Sequence, residues 1–266
     1  MLHAYMWRDV ASIGVPRPHY LIAIMNITKI LAVLTTFATL ACTTAHATPV
    51  NLVVNGDFEF TSNGVGQIDA RTKATGWTSK GYNFLFAAGT ADTTGTYGGL
   101  TLWGPANGSK NGLKDSPTGG NFLAADGAYG VAPIYQTITG MTVGQQYILN
   151  FDWAGAQQNG FSGANSEQWI VSLGKQTIST ATYNNTNHGF SGWMHETFTF
   201  TATSSTDVLS FLAHGTPTGV PPFSLLDGVS LTAAVPEPST TALMFAGFLL
   251  LGAGARFRRR DGAGKQ

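Results

Sequence analysis

Residues 146–154 read Gln-Tyr-Ile-Leu-Asn-Phe-Asp-Trp-Ala. In an extended chain successive side chains point to opposite faces, so Tyr147, Leu149, Phe151 and Trp153 share one side while Ile148, Asn150 and Asp152 share the other. This alternation marks a strand with one face on a core. Outward from it the pattern recurs. In residues 168–173 (QWIVSL) Trp169, Val171 and Leu173 face one way. In residues 196–201 (ETFTFT) Phe198 and Phe200 oppose Thr197, Thr199 and Thr201. Residues 207–213 (DVLSFLA) and 223–232 (FSLLDGVSLT) are further strand candidates. Between 48 and 234 no long helix-period apolar run occurs. The reading is all-β: short strands with glycine-rich connections, built as a two-sheet antiparallel β-sandwich of the jelly-roll kind. The lack of an internal repeat argues against a propeller or solenoid. Residues 89–120 read as a long loop, with turns at Pro105, Asn107-Gly108 and Asn111-Gly112.

The 266 residues carry 14 basic and 14 acidic side chains, but the zero net charge is a sum over unlike segments. Residues 48–234 hold 6 basic and 11 acidic groups, with no basic block of the kind that binds nucleic acid. The single Cys, Cys42, excludes a disulfide framework or a multi-cysteine zinc site.

Residues 30–42 form an apolar run preceded by Lys29 and followed by Thr-Thr-Ala-His-Ala. A basic start, a short apolar stretch and small residues at Ala45 and Ala47 predict a signal peptide over 1–47, cut after Ala47 by signal peptidase following Sec export. The compact start MNITK points to Met25 as the translation start. At 1.5 Å per residue this run spans only ~20 Å, too short to cross a bilayer. Leu40 sits one place too close to Cys42 for a lipobox, so Cys42 reads as a small apolar residue.

At the other end Val235, Pro236, Glu237, Pro238 and Ser239 precede an apolar run over 240–255, and Arg256, Arg258, Arg259 and Arg260 follow. The run is expected to form a single transmembrane helix whose arginines stay in the cytoplasm, with 261–266 as a cytoplasmic tail and 48–234 outside. Residues 235–260, taken together, resemble the PEP-CTERM sorting signal of Gram-negative bacteria. That resemblance implies an exosortase as partner, a membrane-anchored precursor, and a final place at the cell surface or in an extracellular matrix.

Residues 51–59 (NLVVNGDFE) and 225–231 (LLDGVSL) resemble the bracketing strands of galactose-binding-like jelly rolls, a fold common among carbohydrate-binding modules. Residues 122–127, 135–138 and 192–200 add to the likeness. In several such modules the Glu of the first bracket and the Asp of the last hold a structural Ca²⁺, and here these are Glu59 and Asp227. Calcium takes 6–8 hard oxygens, and Asp57 and Asp126, beside Gly56 and Gly127, are further candidate ligands. The alternative is that Glu59 and Asp227 cap strand ends or accept from backbone N–H groups.

Carbohydrate recognition needs exposed aromatic platforms. Trp153 and Trp169 fall in phase with core positions, and Trp77 follows a turn at Gly76 and also reads as core. Trp103, in the loop-rich stretch, and Trp193, opposite the Phe198/Phe200 face, are the surface candidates. Catalytic arrangements are thin. There is no Gly-x-Ser-x-Gly elbow, and His195-Glu196 lacks the second histidine of a zinc helix. His188, His195 and His214 are scattered, while Glu167 and Glu196 are the carboxylates available for a glycosidase pair. The expected function is therefore a non-catalytic exported sandwich that contacts exopolysaccharide. A self-associating matrix protein and a glycoside hydrolase are the alternatives.

Overall fold

The computed structural model describes residues 49–94, 99–235 and 247–248. The expected signal peptide with Met25, Ala45 and Ala47, the sorting residues Pro236, Glu237, Pro238 and Ser239, and the cytoplasmic tail lie outside the described residues, as does all but two residues of the apolar run. Among the described residues no helix is long and apolar enough to cross a membrane.

The strands are β1 (Gly66–Gln67), β2 (Thr78–Ser79), β3 (Asn83–Phe86), β4 (Phe122–Asp126), β5 (Ile134–Thr139), β6 (Gln146–Gln157), β7 (Asn165–Leu173), β8 (Gln176–Ser179), β9 (Tyr183–Asn185), β10 (Met194–Thr201), β11 (Thr206–Thr216) and β12 (Pro222–Ala233). They form two antiparallel sheets: β1-β3-β4-β12-β6-β10, and β2-β5-β11-β7-β8 with β9 also on β7. The two-sheet sandwich read from alternation is the observed fold.

β6 runs between β10 and β12, with Thr201 opposite Gln146 and Pro222 opposite Gln157. Its odd-numbered face makes the inter-sheet core, as its sequence predicts. Tyr147, Leu149, Phe151 and Trp153 are buried with Trp77, Trp169, Val171, Phe211, Leu226 and Leu231. Phe211 contacts Phe151, Trp169 and Trp77 edge-on at 5.2, 5.9 and 6.2 Å, the geometry that ring quadrupoles favour.

β12 carries one extra residue against β6 between Asp227 and Ser230, with Gly228 at φ 62°. Leu226 and Leu231 are an odd number of residues apart and would otherwise point to opposite faces. The bulge turns both inward. The first bracket closes on this place. Leu52 N–H donates to Leu231 O and Val229 N–H to Gly56 O, both at 2.9 Å. A Cβ on Gly56 would lie 1.9 Å from the Val229 carbonyl oxygen, so only glycine lets the two chains meet.

The 89–120 stretch, read as loop-rich, contains no named strand among its described residues, yet it does more than connect. Ala91, Leu100 and Leu102 from the β3–β4 connection pack on the outer face of the first sheet against Phe84, Phe86, Phe122, Ala124, Ala154, Ala156, Phe223 and Leu225. The connection is therefore a cover over a second apolar cluster. It is stitched down by Leu102 N–H to Ala91 O at 2.7 Å and Trp103 N–H to Gln157 O at 2.9 Å. β3 and β4 are buried on both faces for this reason and show no polar alternation.

Leu102 is fully buried although it lies in the connection. Leu102→Ala is expected to lower the unfolding free energy by about 2–5 kcal/mol in chemical denaturation. A loss below about 0.5 kcal/mol, the scale of a surface change, would show that the cover is not part of the core.

Candidate functional site

The expected calcium residues do not all come together. Asp227 lies on the outer face of β12, opposite Asp152 of β6, and is fully buried. Thr118 Oγ1 and Gly228 N–H donate to its carboxylate, the latter at 2.8 Å, and Ser116 also hydrogen-bonds it. Burial pushes its pKa up to about 6, with the charge of Asp57 adding to the rise and the three donors opposing it. Asp57 is therefore within electrostatic reach of Asp227. Glu59 is exposed and accepts the backbone N–H of Asn121. Asp126 stands apart. It pairs in register with Phe223, four residues along β12 from Asp227, which is about 13 Å of strand. There its Oδ1 takes the N–H groups of Ala128 and Tyr129 at 2.8 and 3.0 Å, the work of a turn cap. Among the described residues no group of three or more His, Cys, Asp or Glu is placed to hold a metal ion.

The surface tryptophans differ in setting. Both are half-buried. Trp193 lies over the second apolar cluster, edge-on to Phe122 at 5.6 Å, and its Nε1–H donates to Lys114 O at 3.0 Å. Trp103 stands where three connections meet. Its Nε1–H donates to Phe161 O at 2.8 Å, and its ring stacks on His188 with centroids 3.8 Å apart and planes 25° off parallel. His188 Nε2 meets Ser162 Oγ at 2.9 Å, and Asn111 Nδ2 donates to the carbonyls of both Trp103 and His188. Phe161, at 39% exposure, adds apolar surface at this edge.

The histidines do not converge. His188 belongs to the Trp103 edge. His195 projects from β10 toward Asp152, Nδ1 to Oδ1 2.8 Å, on the first sheet. His214 is exposed on β11 of the second, at the parity opposite Phe211 and Ala213. Glu167 has no exposed surface, so no substrate reaches it, while Glu196 lies on the other sheet and accepts weakly from Trp153 Nε1 at 3.4 Å. Burial raises the Glu167 pKa to about 8, and the Asn185 amide opposes the rise.

Sequence reasoning missed the hydroxyls of Ser116 and Thr118 at Asp227 and the stacking of His188 on Trp103. Both come from connections whose composition carries no periodic signal. The burial of Glu167 was legible, because it has the parity of Trp169.

Residues 234–260 match the family described as the PEP-CTERM protein-sorting motif. The chain carries a PEP-CTERM sorting motif. The PEP-CTERM motif implies an exported protein that is sorted to the cell surface and processed by an exosortase. No curated protein matches the chain. Among solved structures, the enzymatically active domain of the bacteriophage CBA120 tailspike protein 4 is similar at 15% identity and TM-score 0.35, over 70% of this chain and 22% of the tailspike. The chain thus spans about a fifth of that protein. A family 61 carbohydrate-binding module described in complex with β-1,4-galactotriose is similar at 14% identity and TM-score 0.36, over 70% of this chain and 99% of the module. A family 4 carbohydrate-binding module is similar at 16% identity and TM-score 0.32, over 68% and 99%.

Glu167 and Asp227 hold their protons more tightly in the folded than in the unfolded chain, where the ordinary values are 4.5 and 3.8. The stability this supplies is complete below those ordinary values and is lost as pH rises through about 6 for Asp227 and about 8 for Glu167. In metal-free choline chloride buffer, the denaturation midpoint is expected to fall between pH 4 and 9. Glu167→Gln should remove the part of the fall that reaches pH 8, and an unchanged profile in that variant would contradict the assignment.

Proposed function

We propose that this is an exported, exosortase-sorted surface protein whose sandwich binds polysaccharide without catalysis. The observation that carries the reading is the Trp103 edge. An indole held at its N–H and backed by His188 is a rigid apolar plate, and Asn111 and Ser162 belong to the same edge. A rigid ring loses little conformational freedom when a sugar's C–H face settles on it. The apolar and polar groups at one edge suit a pyranose, which presents both kinds of surface. The buried state of Glu167 and the separation of His188, His195 and His214 support a non-catalytic role. The test is binding of the purified chain to the organism's exopolysaccharide. Trp103→Ala is expected to weaken binding at least tenfold, about 1.4 kcal/mol. Undiminished binding by the folded variant would overturn the reading.

We also infer that a structural Ca²⁺ is held on the outer face of the first sheet by Asp227 and Asp57, with the hydroxyls of Ser116 and Thr118 beside them. What supports this is the charge of Asp57 acting on the buried Asp227 carboxyl, which a cation would relieve, and the oxygen-only character of the group. Glu59, engaged with Asn121, acts by fixing the neighbouring loop. When bound, calcium would supply cross-linking of loop and strand, and no reaction chemistry. Calcium is expected to raise the melting temperature of the native chain by a few degrees in a saturable way. The rise should vanish in Asp227→Asn, and its persistence there would remove the site.

A further inference from the structure

Residues 49–51 and 234–235 come to one end of the sandwich. Ala234 N–H donates to Gln146 O at 2.8 Å, so Val235 lies beside the start of β6. Leu52 meets Leu231 and Gly56 meets Val229, two contacts that run in opposite senses and carry Val50 toward Ala233. Two loops join them there. Gly144 N–H donates to Ala202 O at 2.8 Å, Met141 N–H to Ser205 O at 3.1 Å, and Gln145 Nε2 to Ala234 O at 3.0 Å. The turn between β7 and β8 closes the same end, where Gly174 N–H donates to Val208 O at 3.0 Å near the start of β11. Trp103 lies at the opposite end of β6, with its N–H on Gln157 O. The 12 residues of β6 separate the two ends. That is about 36 Å of strand.

The end at Gln146 is distinct in charge. Segments 49–51, 140–145, 174–175, 202–205 and 234–235 contain one ionisable side chain, Lys175. Asp207 stands beside them just inside β11, against Gly174. The acidic surplus of residues 48–234, 11 groups against 6, is otherwise carried elsewhere. Val50, Val143 and Val235 project at 74%, 63% and 47% exposure. Pro236, Glu237, Pro238 and Ser239 are all that separate Val235 from the apolar run over 240–255. Five residue steps reach at most about 18 Å, whatever their conformation. Wherever the run enters a bilayer, this end of the sandwich is held within that reach of it.

We propose that the Gln146 end is a membrane-contact surface, which rests on lipid headgroups while the tail spans the bilayer and holds the Trp103 edge about 36 Å above them. This rests on the expected membrane span over 240–255 and not on sugar binding. Three valines alone would hold a free domain weakly, because attraction to a bilayer grows with buried apolar area and with charge. The short tether offsets that weakness by keeping the surface at a high local concentration. Charge selects which side goes down. Anionic headgroups repel a flank that carries Asp57 and Glu59, both exposed. The Gln146 end brings Lys175 and Asp207, which offset each other, and its loops have no other charge to desolvate. An edge held away from the membrane is open to polymer in the anchored precursor, so polysaccharide capture does not have to wait for the exosortase.

The test is fluorescence quenching on the full chain, carrying Cys42→Ser, in vesicles of phosphatidylcholine and phosphatidylglycerol. A fluorophore is attached at Thr203→Cys, in the 202–205 loop, or at Phe161→Cys, at the Trp103 edge, and a nitroxide is carried on the lipid headgroups. The nitroxide is expected to quench the label at 203 about twofold and to leave the label at 161 unchanged. Val50→Asp with Val143→Asp, both at exposed positions, should remove most of the quenching at 203 while the chain stays in the vesicles and keeps its melting temperature. Equal quenching at both positions, none at 203, or quenching at 203 that the two aspartates leave intact would overturn the contact surface. A chain that does not float with the vesicles would overturn the anchored state and the proposal with it, so flotation separates failure of the span from failure of the surface.

Discussion

The ladder between Gln146–Gln157 and Pro222–Ala233 is the constraint from which the architecture follows. These are the two longest strands, and they lie side by side in the interior of one sheet. Over the first half of β6, one face meets the opposing sheet and the other meets water. Toward Gln157 both faces are out of water, because Ala154 and Ala156 on the outside are as fully buried as Trp153 on the inside. A strand buried on both faces needs a layer on each side. The connection from β3 to β4 supplies the outer one with Leu100 and Leu102.

Where those two layers end, the polar features begin. The Trp103 edge is made by the cover where it meets the connections after β6 and β9. Glu167 and Asn185, hydrogen-bonded to each other, lie just inside the same end, beside Gly155. The acidic face at Asp227 and Asp57 sits at the bulge, where Gly228 bends β12 beside the 116–121 segment. The three polar groupings are thus local consequences of how the sandwich terminates, corrects its register and accepts its cover. Each is built from groups that backbone pairing alone leaves unsatisfied.

Much of the fold was legible because a single-faced strand writes its geometry into alternation. Tyr147, Leu149, Phe151 and Trp153, and likewise Trp169, Val171 and Leu173, could face inward only together. Trp153 and Trp169 fell where that parity put them, and Trp77, read as core from the turn before it, is buried too. β3 and β4 were not legible, since an all-apolar stretch looks the same whichever face meets the core. The packing of the cover was not legible in a stretch read as loop-rich, because its Leu100 and Leu102 belong to no longer periodic run. At the candidate sites, Trp103 was singled out from its loop-rich setting and Asp227 from the resemblance of its strand to galactose-binding-like jelly rolls. His188, Ser116 and Thr118 were not, because they meet their partners across 85, 111 and 109 positions of chain.

By itself the sequence determined the class of fold, the inward set of each alternating strand, and the sorting motif over 234–260, whose short contiguous pattern needs no folding to be recognised. Only the tertiary structure decided that Asp126 stands apart from Asp227, that a loop becomes a second layer, and that Asn185 meets Glu167 out of water. Alternation is a property of neighbours along the chain and survives in a list of residues. Convergence depends on register between strands and on the bulge that sets it, and a shift of one residue there would send every side chain to the opposite face.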